Sequence, residues 1–253
     1  MEHLAVHAPE AAATYDAVAA ATRRSLPEHP DVTAFAEQFA VDVSVLSDEQ
    51  RAAFLAATGA EAFAVVQRVY VGDVWPRVRS VLDQVLGAGV WPTPDDAAVD
   101  ELWPLLDDFM RAVARLDALD PVTTELVRLR GARQHDCRVC RSRRSVAALD
   151  AGATEETFDE LDRWESSTLP EDRKAALGLT DAMIWTPYAV PAEVVAAASD
   201  HLTDDQVVEV VLDVARNAAN KIAVGLGADA AEVTEGVQLF TTDADGEVST
   251  VPG

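Results

Sequence analysis

Apolar residues in this chain recur at spacings of three and four almost throughout, and no stretch sustains the alternation of a half-buried strand. That periodicity predicts an all-α fold. Local start signals divide it into helices. Ser47 and Gln50 form a capping box before Arg51–Thr58, and Thr203 and Gln206 form another before Val207–Leu226. Asp120-Pro121 reads as an N-cap followed by proline in the first helical position, opening a helix over Val122–Arg133. Thr93-Pro94-Asp95-Asp96 has the same form, and Pro191-Ala192-Glu193 opens a further helix. Breaks near Leu26–Asp31, Gly87–Pro94, Gly152–Thr154, Leu169–Glu171 and Thr186–Pro191 leave about nine or ten helices.

The 253 residues are enough for a sizeable core. We read them as a single compact unit: an N-terminal helical region over 1–90, a helical core over 91–240 and an irregular tail over 241–253. Leu46-Ser-Asp-Glu-Gln50 echoes Leu202-Thr-Asp-Asp-Gln206, and Gly72-Asp73 falls at the offset of Ala228-Asp229. Two ordinary capping boxes or a duplicated helical half would both produce this echo. Charge narrows the partners. With 44 acidic against 20 basic residues, the net charge of −24 argues against nucleic acid and anionic membranes. The first ten residues lack the basic-then-apolar order of a signal peptide. No uninterrupted apolar run approaches the ~20 residues of a membrane span. A cytoplasmic setting is the expectation, where a C-x-x-C is more often redox-active or metal-binding than a structural disulfide.

The chain has two cysteines, Cys137 and Cys140, in C-x-x-C spacing. Residues 128–144 carry seven arginines and one acid, Asp136. Three readings are open. In the first, the pair starts a helix running to about Leu149, and the helix N-terminus and arginines favour a reactive thiolate. In the second, His135, Cys137 and Cys140 supply three zinc ligands and require a fourth. In the third, the cysteines are small buried core residues. Glu125 lies on the preceding helix with Arg128 three positions on. It is either paired on a solvated face or turned inward, where it can take a proton from a thiol.

Glu125, Val127-Arg-Leu-Arg130, Cys137-x-x-Cys140, Ala147 and Gly152 together resemble the carboxymuconolactone decarboxylase superfamily, in particular its AhpD-like alkylhydroperoxidase branch. The glutamate of that branch stands twelve positions before the first cysteine, as Glu125 does here. The likeness covers residues 121–153, and Leu202–Asp229 is similar to the helix that follows the core. The resemblance implies an all-helical AhpD-like bundle assembled as a trimer or hexamer. It implies no prosthetic group, with a small-molecule oxidant and a dithiol or lipoyl-type reductant as partners. By position, Cys140 becomes the attacking thiol, Cys137 the resolving thiol and Glu125 the proton relay. The branch has histidine where this chain has Val139 and Arg144. Valine moves no proton and arginine only donates, so Arg144 would support Cys140 by charge, His135 would supply a titrating group although it occupies no family position, and Arg128 would be a further supporting group. The arginine cluster would also hold an anionic substrate. The function expected is thiol-dependent reduction of peroxide or disulfide. A non-catalytic helical binding or assembly protein and a zinc-binding C-x-x-C site are the alternatives.

Asp243-Ala-Asp245-Gly246 resembles part of a calcium loop, but the acid required at its twelfth position would lie past the last residue, so it reads as a polar turn. The five tryptophans read as packing residues or pocket walls. Asn217, Asn220 and Lys221 place polar groups on an apolar helix, facing either the thiols or an oligomer interface.

Overall fold

The structure, a computed structural model, describes residues 2–22, 25–91 and 101–251. The helix start expected at Thr93-Pro94-Asp95-Asp96 lies outside these. In chain order the elements are α1 (Glu2–His7), α2 (Pro9–Ala21), α3 (Pro30–Asp42), α4 (Asp48–Thr58), α5 (Ala62–Val85), α6 (Trp103–Ala114) and α7 (Pro121–Gln134). There follow α8 (Arg138–Arg141), β1 (Arg143–Ser145), α9 (Val146–Asp150), α10 (Glu155–Asp159) and α11 (Glu171–Trp185). The chain continues through α12 (Ala192–His201), α13 (Asp204–Ala218), α14 (Asn220–Leu226), β2 (Gln238–Thr242) and β3 (Val248–Thr250). The fold is thus mostly helical, with one small sheet.

Helix α13 is central, packing on α5, α6, α7 and α11. Its β-branched run, Val207, Val208, Val210, Val211 and Val214, is a modest helix former. All five valines are buried, and that burial outweighs the propensity. Thr203 and Gln206 close the expected capping box at its start, as Ser47 and Gln50 do for α4. Asp120 caps α7, accepting from the amides of Val122 at 3.0 Å and Thr123 at 3.3 Å. The echo between the halves stops at the caps, since Asp73 lies within α5 and Asp229 beyond α14. Helix α7 separates two apolar clusters. The larger lies against α5 and α13, and the smaller gathers Leu126, Leu129, Phe158, Leu161 and Leu177 under α9 and α10.

Asp48–Val85 is, by length and composition, apolar enough to cross a membrane, although it contains charges. Here it folds as two helices meeting at the turn Gly59–Glu61, and α5 buries Val65, Val66, Val69, Val78 and Leu82 in the core.

Two expectations are corrected. The helix expected over Cys137–Leu149 is interrupted: α8 is a single turn and β1 follows. The backbone polar groups there have better partners than a helix offers. Ser142 O accepts from Gln238 N at 2.7 Å, Arg143 O from Arg128 Nη2 at 2.8 Å, and Ser145 N donates to Glu125 Oε1 at 3.1 Å. The tail is also not irregular. β2 pairs parallel with β1, placing Arg144 opposite Leu239, and antiparallel with β3, placing Thr241 opposite Ser249. The residues that resemble a calcium loop turn this β2–β3 hairpin. Asp243 Oδ1 accepts from the amides of Asp245 and Glu247, each at 2.9 Å. Gly246 has φ of +79°, and a Cβ there would run into the Arg111 carbonyl.

Candidate functional site

The C-x-x-C segment is fixed by the way α7 ends. Asp136 adopts left-handed backbone, with φ of +49°. Its amide donates to Arg133 O at 3.2 Å, and that of Cys137 donates to Ala132 O at 3.0 Å. This is a Schellman closure with aspartate in glycine's usual place. It turns the chain sharply and brings Cys137 back beside the helix that carries Glu125. Asp229 then holds the next turn: its carboxylate accepts from Arg138 N at 2.9 Å and Arg138 Nη2 at 2.7 Å, and its carbonyl from Val139 N at 2.9 Å.

Cys137 and Cys140 are joined by a disulfide, with Cα atoms 5.3 Å apart. Cys137 is fully buried, whereas Cys140 reaches the wall of a cavity of about 460 Å³. The apolar side of that wall includes Trp103, Met110, Val139 and Phe240. Trp103 is therefore a pocket residue, whereas Trp75 packs, stacking on Tyr15 at 5.0 Å. The β2–β3 hairpin supplies Phe240 and Val248 to the cavity, so the tail read as irregular helps to build the site.

Glu125 is turned inward, not out on a solvated face. Its carboxylate accepts from Arg128 Nε at 2.6 Å and Nη2 at 2.7 Å, and also from Ser145 N. Arg128 in turn donates from Nη1 to Cys140 O at 2.9 Å, and its guanidinium lies 5.1 Å from the Phe240 ring centre. Glu125 is thus linked to Cys140 through Arg128. Burial is compatible with the pair because arginine follows glutamate by three positions on one helix face. About four lone-pair sites exist on a carboxylate. Three are used here, leaving Oε2 able to accept one more hydrogen.

Arg144 and His135 do not join this group. Arg144 places Nε and Nη2 on Glu155, each at 2.9 Å, and Nη1 on the carbonyls of Arg141 and Arg143. Its charge is committed to Glu155 and not to the cavity. His135 is buried at the C-terminal cap of α7, beside a water-sized space of about 20 Å³ lined also by Asp73, Arg77 and Lys221. Burial, followed by the charges of Lys221 and Arg77, pushes its imidazole down to about 3. His135 is neutral near neutral pH and cannot serve as the titrating group expected of it. Lys221 also turns away from the thiols, reaching Asp73 Oδ2 at 2.7 Å, while Asn217 and Asn220 line the cavity. Among the described residues, no three of His, Cys, Asp and Glu gather as a metal site.

The residue that sequence reading passed over is Arg216, which lines the cavity with Cys140. The signal available was the polar pair Arg216-Asn217 late on an otherwise apolar helix.

A family model described as the carboxymuconolactone decarboxylase family matches residues 101–182, from α6 through most of α11. That span holds Glu125, Arg128 and both cysteines. Uncharacterized proteins from two strains of Mycobacterium tuberculosis, CDC 1551 / Oshkosh and H37Rv, are each 45% identical over 231 residues, covering 87% of this chain and 81% of the relative. No solved structure matches the chain. The inward glutamate, the paired thiols and the matched span agree, and the chain belongs to the carboxymuconolactone decarboxylase family.

Proposed function

We propose that this protein is a thiol oxidoreductase of the AhpD-like kind, reducing a peroxide with its cysteine pair. The observation that carries the reading is the asymmetry of the pair: Cys140 opens on the cavity while Cys137 is enclosed behind it. In the reduced protein the Cys140 thiolate attacks the terminal oxygen of a hydroperoxide. The O–O bond breaks, the alcohol leaves with a proton, and Cys140 becomes a sulfenic acid. The Cys137 thiol attacks that sulfur, water leaves, and the disulfide forms. A dithiol of the lipoyl type then restores both thiols by exchange and is itself oxidised to a disulfide, so two electrons pass per cycle. Glu125 is the proton relay in this proposal, using the place left on Oε2, and Arg128 is its supporting cation. Assembly as a trimer or hexamer belongs to the same proposal and rests on the family resemblance.

A second reading, a helical binding protein on the same scaffold, draws on Val139 and on the commitment of Arg144 to Glu155. Neither family histidine position then supplies a proton carrier. Thiol counting separates the two. Reduced protein exposed to an organic hydroperoxide should lose both free thiols and form the Cys137–Cys140 disulfide, and Cys140→Ser should abolish that loss. Thiols that survive the oxidant at neutral pH refute the oxidoreductase.

A further inference from the structure

Several hydrogen-bond donors around the cavity at Cys140 have no partner. Four arginines reach its wall. Arg111 is paired with Asp107 at 2.7 Å and Glu247 at 3.3 Å, Arg128 with Glu125, and Arg143 with Glu232. Arg216 makes no hydrogen bond or ion pair among the described residues. The Asp213 carboxyl, which interacts with the Arg216 charge, is buried, and burial pushes it up to about 8. That upward shift favours the neutral acid, so Asp213 offsets the Arg216 charge only in part. Asn217 Nδ2 and Arg143 Nε, on two residues of the same wall, are buried donors with no acceptor. The acids on the wall, Asp107 and Glu247, are both held by Arg111. Arg216, Asn217 Nδ2 and Arg143 Nε are thus three donor groups without partners around one cavity, and they suit a ligand rich in acceptor oxygens.

We propose that this cavity is a carboxylate-binding site, in which Arg216, with Asn217 beside it, holds the anionic head of a small organic molecule whose apolar body lies against Trp103, Met110 and Phe240. Size supports an organic ligand. The cavity of about 460 Å³ falls among those that enclose drug-sized molecules. Hydrogen peroxide needs little more than the ~30 Å³ of a water. A guanidinium matches the two oxygens of a carboxylate with two parallel hydrogen bonds. The inference rests on the proposed thiol chemistry only in taking this ligand as the substrate class, an organic hydroperoxide bearing a carboxylate. Arg216 is then a specificity-determining residue.

The test is calorimetric titration of the intact, oxidised protein with octanoate and phenylbutyrate, with the matching neutral amides, and with inorganic phosphate. The carboxylates should bind more tightly than their amides by about tenfold or more. Arg216→Gln should abolish that preference and Arg216→Lys should keep part of it. Equal binding of acid and amide, failure of both carboxylates to bind, an unaltered preference in Arg216→Gln, or phosphate binding as well as octanoate would each overturn the proposal. The comparison of acid with amide on the natural chain decides even if Arg216→Gln fails to fold. Binding to the oxidised protein requires no thiol reaction. A protein that takes carboxylates yet keeps its thiols under peroxide refutes the oxidoreductase alone, and one that loses thiols without preferring carboxylates refutes this site alone.

Discussion

Removing either member of the Glu125–Arg128 pair should cost much more than breaking a surface salt bridge. The Glu125 side chain is 1% exposed and that of Arg128 11%, so solvent screens the pair little. Glu125→Gln leaves the Arg128 charge buried without its counter-ion and turns an amide donor toward a guanidinium donor. Stranding one partner of a buried pair costs about 3–5 kcal/mol. Arg128→Met should cost more. It strands the Glu125 carboxylate with only the Ser145 amide, and it also frees the Cys140 carbonyl, at about 1–3 kcal/mol if that stays dry, while the Arg143 carbonyl keeps its Arg144 donor. For a chain of this length each kcal/mol moves the melting temperature by about 2–4 °C, so Glu125→Gln should melt at least ~6 °C lower. Urea unfolding followed by far-ultraviolet circular dichroism, with the disulfide intact, measures both variants and the double variant. The double variant should cost less than the sum of the singles, because the stranded charge is gone. Single losses below about 1 kcal/mol, the size of an exposed pair, would refute the buried-pair account. So would strict additivity in the double variant.

Asp213 should make stability fall as pH rises. Its ordinary value of 3.8 is raised by burial to about 8, so between these values the folded state holds a proton that the unfolded state has released. Its contribution is full below 3.8 and is lost as pH rises through 8. Asp213→Asn should flatten that part of the profile, read as urea midpoints across the interval; an unchanged slope counts against the assignment. Gly246→Ala should destabilise by more than about 1 kcal/mol, since φ is +79° and the new Cβ meets the Arg111 backbone. Thermal melting checks this, and a variant as stable as the parent would show that the hairpin does not depend on that close approach.

The helices were legible because their signals are local. Asp120-Pro121, Ser47 with Gln50 and Thr203 with Gln206 each cap within four residues, and the structure uses all three. The strand after the cysteines was not legible, because Arg143–Ser145 becomes extended only when Gln238–Thr242 arrives to pair with it. The direction of Glu125 depended on the same event, since the Ser145 amide that it accepts from is presented by that strand. His135 could not be placed from its neighbours in sequence. Its surroundings, Arg77 and Lys221, come from α5 and α14, and their charges and the burial they share decide its protonation.

The means of activating a thiol differs here from the one that the spacing alone suggests. A long helix beginning at Cys137 would lend the cysteines the field of its N-terminus, but α8 is one turn and its dipole is correspondingly small. Arg144, in a family histidine position, is held by Glu155 and stacks its guanidinium 5.2 Å from the centre of the Phe158 ring. Of the arginines on the cavity wall, Arg128 and Arg143 face carboxylates of their own. The cation whose charge is least compensated beside Cys140 is therefore Arg216, on α13, a helix remote in sequence from the cysteine motif. A carboxylate bound to Arg216 would cancel that charge. Under the proposed chemistry the anion that positions the substrate would thus also moderate the thiolate, joining substrate recognition to thiol reactivity at one guanidinium.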